Sequence, residues 1–278
     1  LLEELKSPIW VNRDYTLPGW VGEGTLLFVS SYSGNTEETL SAYAEGKTRG
    51  ARVVAVTSGG ELERLANEDG YPVVKVPAGL PPRCALGYLS LPMLVLLSRG
   101  GVVAEKSREL REMIGTVSKM KEELSGASSP ALGLAGKVRG SLPIVYCSER
   151  LGVAATRWRT QLNENSKTWV HTNLIPELDH NEIVGWDRPE NLLKGAQVVL
   201  LRDRQEHPQV RKRFEITREM VEPLARGVWE VWARGEGILS RLCSLIYFGD
   251  YVSFYLALLS GVDPTPVERI EKLKERLR

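Results

Sequence analysis

Cysteine is scarce in this chain of 278 residues. Cys84, Cys147 and Cys243 are odd in number and far apart, without the paired spacing of a zinc site or a disulfide framework. They read as buried thiols of a reducing compartment, which points to the cytoplasm. Histidine is as rare. His171, His180 and His207 form no His-x-x-x-His or similar pair, so no metal is expected, and nothing else calls for a cofactor. An excess of one charge is also missing: 36 Lys and Arg stand against 35 Asp and Glu, a formal net charge of +1. That balance implies neither nucleic acid nor a membrane surface as a partner. The longest apolar run, 85–97, is too short to span a bilayer and contains Pro92. The chain opens on Leu1 rather than Met, so residues ahead of it are expected.

What the chain does have is alternation. Apolar runs of strand length at 26–29, 52–57 and 73–76 are separated by helical patterns over 36–49 and 61–68. Helical sequence follows at 83–98 and 105–124. The alternation resumes with strands at 142–146, 198–201 and 228–231 and helices over 152–167, 209–224 and 239–259, before a short basic helix. Short, wholly apolar strands suit a parallel sheet covered on both faces. The fold class expected is therefore α/β, with two such units and a C-terminal helix. The stretch 125–136, rich in Ser, Gly, Ala and Pro, is the expected boundary, giving domains 1–124 and 137–278.

The turn Ser31-Tyr32-Ser33-Gly34-Asn35-Thr36 joins the first apolar run to the first helix. Backbone N–H groups at a helix start, the positive end of its dipole and three closely spaced hydroxyls can hold a phosphate without metal. A plain N-cap would use one hydroxyl, as Ser and Thr commonly do. Two further stretches carry groups for chemistry. Glu164 ends a helix among polar residues, either as a base or as a solvated helix end. His180 lies in Glu177-Leu178-Asp179-His180-Asn181-Glu182, where neighbouring acids could tune an imidazole for proton transfer. The cluster Trp229, Trp232, Tyr247, Phe248, Tyr251, Phe254 and Tyr255 fits core or interface equally.

The turn resembles the Ser-x-Ser-Gly-x-Thr signature of sugar isomerase (SIS) domains, which bind phosphosugars. Four longer motifs narrow the likeness: Pro81-Pro82-Arg83-Cys84-Ala85-Leu86-Gly87-Tyr88, Asn163-Glu164-Asn165-Ser166-Lys167, Glu177 to Glu182, and Gly261-Val262-Asp263-Pro264-Thr265-Pro266-Val267. Together, in this order, they resemble the bifunctional phosphoglucose/phosphomannose isomerase family over nearly the whole chain. The resemblance implies two SIS-type subdomains and an aldose-ketose isomerisation through a cis-enediol, without metal. It implies Glu164 as the base, His180 with Lys272 at ring opening, and Arg83 beside the enediolate. Ser31, Ser33 and Thr36 would hold the phosphate of a phosphorylated hexose. Thr265 would leave room for either C2 epimer, where glucose-specific isomerases carry a bulkier residue. A homodimer is implied, with the histidine donated to the neighbouring subunit. A strand and Gly-rich loop usual at the start of a SIS domain is absent before Ser31.

Blander roles exist for each residue: Arg83 as a helix-start cation, Lys272 as one of several on a solvated helix, Thr265 as a cap. Two other functions compete. A phosphosugar sensor would need the turn but not Glu164, His180 and Lys272; an amidotransferase half would need an attached glutaminase, and all three cysteines are internal.

Overall fold

The computed structural model describes Leu5 and residues 7–277. The chain divides into two compact units, one ending at Lys106 and one running from Ser107 to Arg278. The first contains β1 (Leu26–Ser30), α1 (Glu37–Thr48), β2 (Arg52–Thr57), α2 (Gly60–Glu68), β3 (Val73–Lys75) and α3 (Leu86–Arg99). Its three strands are parallel in the order β1-β2-β3, with Leu26 opposite Arg52 and Ala55 opposite Val73. Strand side chains alternate between faces. Val53 and Ala55 therefore pack with Tyr43 of α1 and Leu62 and Ala66 of α2, while Val56 joins Tyr32, Val76 and Ala85 beneath α3.

The second unit contains α4 (Ser107–Leu124), α5 (Pro130–Val138), β4 (Leu142–Ser148), α6 (Gly152–Ser166), β5 (His171–Ile175), α7 (Glu190–Leu193), β6 (Ala196–Arg202), α8 (Pro208–Val221), β7 (Gly227–Trp232), α9 (Ile238–Leu259) and α10 (Glu268–Leu277). Its parallel order, β5-β4-β6-β7, reverses at β4. One face, with Val145, Cys147, Val199 and Leu201, is covered by α4, α5, α6 and α9. The other, with Ile144, Tyr146, Val198 and Leu200, is covered by α8 and by two 3-10 segments, Glu177–His180 and Glu182–Asp187.

The structure corrects the sequence reading at several points. Helix α5 begins inside the expected linker and runs past its end to Val138. Ser129 accepts from the N–H groups of Ala131 and Leu132, Pro130 takes the first turn, and the small residues Ala131 and Ala135 are buried so that the helix comes close to α9. Helix α4, expected in the first domain, packs on α9 in the second unit. Strand β5 was missed because His171-Thr172-Asn173 is polar; as an edge strand it pairs with β4 alone.

Helix α9 is, among the described residues, the one helix long and apolar enough to cross a membrane by length and composition. The helix is the one expected over 239–259, and Arg241 and Asp250 interrupt its apolar sequence. Eleven of its residues are buried, against α4, α5 and α6. The α6 contact is close: a Cβ on Gly249 would lie 2.3 Å from Nε1 of Trp158, which donates to the Leu245 carbonyl at 2.8 Å. Beside it, Nε and Nη2 of Arg157 donate to the two oxygens of Asp250, each at 3.0 Å. The planar guanidinium matches a carboxylate in this way, so the pair also fixes the rotation of α6 on α9.

Candidate active site

The hydroxyl turn leaves the carboxyl end of β1. Thr36 is the N-cap of α1 but makes no side-chain cap bond; its Oγ1 lies 2.8 Å from Oγ of buried Ser31. Ser31 Oγ also accepts from the Gly34 N–H at 3.1 Å, and Ser33 Oγ from the Asn35 N–H at 3.3 Å. Two of the three hydroxyls are thus gathered together rather than spent on capping. The neighbouring α2 closes the turn from behind: its Glu61 N–H bonds to Asn35 Oδ1 at 3.0 Å and its Leu62 N–H to the Gly34 carbonyl at 2.9 Å. Gly34 has φ 69°, and a Cβ there would fall 1.8 Å from the Gly59 carbonyl oxygen. Only glycine fits. Buried Tyr32 ties the turn to the chain leading to Arg83, donating to the Pro77 carbonyl at 2.9 Å and accepting from the Leu80 N–H at 2.8 Å. Arg83 follows, half-buried, on the 3-10 turn Pro82–Cys84. Tyr32 carries no motif signal of its own in the sequence, and Cys84, expected to be a buried thiol, is exposed.

In the second unit Glu164 sits half-buried near the end of α6. Asn165 beside it donates to Ser253 of α9 at 2.9 Å, which fixes the rotation of this last turn. Lys167 stops the helix in the left-handed region, and its Nζ donates to the Glu164 carbonyl at 2.6 Å and the Pro266 carbonyl at 2.8 Å. Glu164 and the Thr265 loop are thereby brought together. The Thr265 N–H bonds to Asp263 Oδ1 at 2.8 Å, an Asx turn that shapes this loop. Lys272 lies further on, exposed, along α10.

His180 is not part of that group. It belongs to the segment covering the opposite face of the sheet from α6. The acids around it were expected to tune its ring, but they face elsewhere. Asp179 accepts from Arg213 at 3.0 Å and Thr217 at 2.9 Å, both on α8, and Glu177 accepts from Asn181 at 2.7 Å. Glu182 meets His171 Nε2 at 2.9 Å and also accepts from Tyr146 and Asn173. Trp186 Nε1 donates to the Tyr146 hydroxyl at 3.1 Å. Among the described residues the His180 ring has no hydrogen-bond or ion-pair partner, while the residues on either side are pinned. This network escaped sequence reasoning because His171 and Tyr146 meet Glu182 only through strand register.

Electrostatics follow the same geometry. Burial pushes the Glu182 carboxyl up, yet its bonds from His171, Tyr146 and Asn173 outweigh this and hold it below the usual carboxylate range. The bond to Glu182 raises His171 above the ordinary imidazole value despite partial burial. Burial, then Glu182, raises Tyr146. Burial also pushes the Cys147 thiol up to about 12. Among the described residues no three His, Cys, Asp or Glu side chains gather as a metal site requires.

Residues 127–277 match the family model described as the bacterial phospho-glucose isomerase C-terminal SIS domain. The bifunctional phosphoglucose/phosphomannose isomerase of Caldicellulosiruptor bescii is 42% identical over 282 residues, spanning 100% of this chain and 83% of that one. This chain belongs to the bifunctional phosphoglucose/phosphomannose isomerase family. The Aquifex aeolicus member is 38% identical, over 98% of this chain and 82% of its own. The fold is shared with the crystal structure of a glucose-6-phosphate isomerase like protein from Thermus thermophilus. That structure gives a TM-score of 0.60 at 24% identity, over 89% of this chain and 78% of the other. In this family member, then, the turn lies on an α/β unit of its own, and Glu164 and His180 lie on opposite faces of the sheet of the next.

Proposed function

We propose that this protein interconverts fructose 6-phosphate with glucose 6-phosphate and mannose 6-phosphate. The observation that carries the reading is a match over the whole of this chain to relatives bearing both activities in their names, in a chain keeping a carboxylate, an imidazole and an ammonium at Glu164, His180 and Lys272. A phosphosugar sensor would need none of the three. The hydroxyls of Ser31, Ser33 and Thr36 bind the phosphate by hydrogen bonds that a dianion strengthens. Glu164 moves the proton between C1 and C2, Arg83 stabilises the enediolate oxygen, and His180 with Lys272 opens the ring. Thr265 leaves the C2 side open to both epimers. The phosphate thus belongs to the N-terminal unit and proton transfer to the C-terminal one.

The protein acts as a homodimer in the cytoplasm in this reading, with His180 serving the neighbouring subunit. Support for sharing comes from Glu164 and His180 lying on opposite faces of one sheet. Support for a second copy comes from apolar surface: α3 has no buried residue, and α10 exposes Ile270, Leu273 and Leu277 near the end of a chain whose α9 also exposes Phe254 and Leu258. The three cysteines are free thiols, in keeping with a reducing compartment.

The test is a coupled assay on fructose 6-phosphate with EDTA present, following the two aldose phosphates separately. Both products are expected. Glucose 6-phosphate alone would remove the role of Thr265; sugar-phosphate binding without either product would favour a sensor.

A further inference from the structure

Among the described residues Lys167 is the one residue other than glycine with a positive φ, 55°. It stands immediately after α6, where a left-handed stop is usually glycine or asparagine because a Cβ is disfavoured there. The stop itself needs only the backbone, since the Lys167 N–H bonds to the Leu162 carbonyl. What lysine adds over glycine is an ammonium with three donors. Nζ directs them at three backbone carbonyls: Glu164 at 2.6 Å, Pro266 at 2.8 Å and Pro264 at 3.5 Å. The first belongs to the residue read here as the base, at a helix end whose last carbonyls lack intrahelical partners. The other two flank Thr265. One side chain therefore joins the turn carrying Glu164 to the loop carrying Thr265, and neither proline between which Thr265 lies can donate a bond of its own to hold that loop.

We propose that Lys167 is a positioning residue that sets the distance between Glu164 and Thr265, and so sets how the enediol partitions between glucose 6-phosphate and mannose 6-phosphate. The proposal rests on the isomerase reading above. Epimer choice depends on which face of C2 the proton reaches and on the room beside it, both of which change if the loop shifts against the helix end. A misplacement of about 1 Å can cost an enzyme about a hundredfold in rate. The phosphate, held on other elements, keeps its contacts.

The decisive variant is Lys167→Gly, because glycine favours the left-handed stop while the ammonium and its bonds to the three carbonyls are lost. Initial rates from fructose 6-phosphate are measured for each product with the full chain, along with KM and thermal unfolding; the product ratio does not depend on how much enzyme is folded. A change of at least about threefold in the ratio is expected, with kcat down about ten- to a hundredfold and KM within about threefold of the original. Lys167→Arg, which keeps a cationic donor, is expected to restore the ratio in part. An unchanged ratio in Lys167→Gly, whatever happens to kcat or stability, would overturn the proposal and leave Lys167 a helix cap. Unmodified protein that forms neither product would overturn the isomerase reading itself, and this inference with it; that control separates the two failures.

Discussion

The carboxyl ends of the two sheets are built in opposite ways. At the end of β1 the chain presents neutral hydroxyls and N–H groups, shaped by a glycine pressed against the Gly59 carbonyl. At the end of β6 the groups are charged and paired: buried Arg202 pairs with Glu206 at 2.9 Å and Glu230 at 2.6 Å and lies against the rings of Phe214 and Trp232, beside a cavity of about 720 Å³, and buried Arg241 pairs with Asp203 at 3.0 Å. There the cations are already answered by carboxylates of the same unit. In the second unit the groups read as catalytic are spread: Glu164 near the end of α6, Thr265 on a loop, and His180 on the 3-10 segment that follows β5. They reach the surface there, and their neighbours do the anchoring.

The largest test of this contrast is Glu164→Gln. Proton transfer is expected to fall about 10²- to 10⁴-fold while fructose 6-phosphate still binds, seen by comparing coupled rates with calorimetric titration. Loss of binding as well, in folded protein, would mean that the two functions are not divided between the units. Gly34→Ala sharpens the other side. The new Cβ meets backbone in a left-handed residue, so a loss of at least about 2 kcal/mol in urea unfolding and a raised KM are expected. An unchanged KM would remove the turn from the phosphate site.

Glu182→Gln asks whether anchoring is electrostatic, and a loss of about 1–2 kcal/mol is expected near neutral pH. The sign of the pH dependence follows from the two shifts. Glu182 is held below its usual range, so its contribution is present above the unfolded carboxylate range and fades as pH falls through the lowered value. His171 is raised, so its contribution is present below the ordinary imidazole value and is lost as pH rises through the raised one. Thermal unfolding followed from about pH 3 to pH 8 is therefore expected to show a stability difference between parent and variant that is largest between the two ranges and narrows towards either end. Thr217→Val removes one of the two bonds to Asp179 at constant shape; about 1 kcal/mol of stability is expected to go, and a larger effect on kcat than on stability would show that His180 depends on this strut. Arg64→Ala, in an exposed triad with Glu61 and Glu68, is expected to leave both thermal unfolding and activity unchanged.

Strands of unbroken Val, Ile, Leu and Ala, and helices closed by glycine, were readable because each carries its signal in adjacent residues. The Ser31 to Thr36 turn was readable for the same reason. Strand β5 was not, since a polar edge strand acquires its identity from its partner β4. Helix α5 carried a Ser129-Pro130 start that composition obscured: alanine and glycine look like a linker until a neighbouring helix gives them something to touch. The candidate residues were named by motif, but the sequence could not say that Glu164 and His180 lie on different faces, or that Lys167 would span 97 and 99 residues to reach Pro264 and Pro266.

The Trp158 indole resting on Gly249, 87 residues from the carbonyl it bonds, has a consequence for synthesis. Strands β4 to β7 and helix α6 emerge from the ribosome before the helix that covers them. Until α9 is complete, the Val145, Cys147, Val199 and Leu201 face has only α4, α5 and α6 to shelter it. Contacts so distant in sequence close slowly, and open apolar faces invite other chains in the interval. A chain cut before Ile238 is expected to be a client for chaperones, whereas one released after Leu259 carries the whole core of this unit.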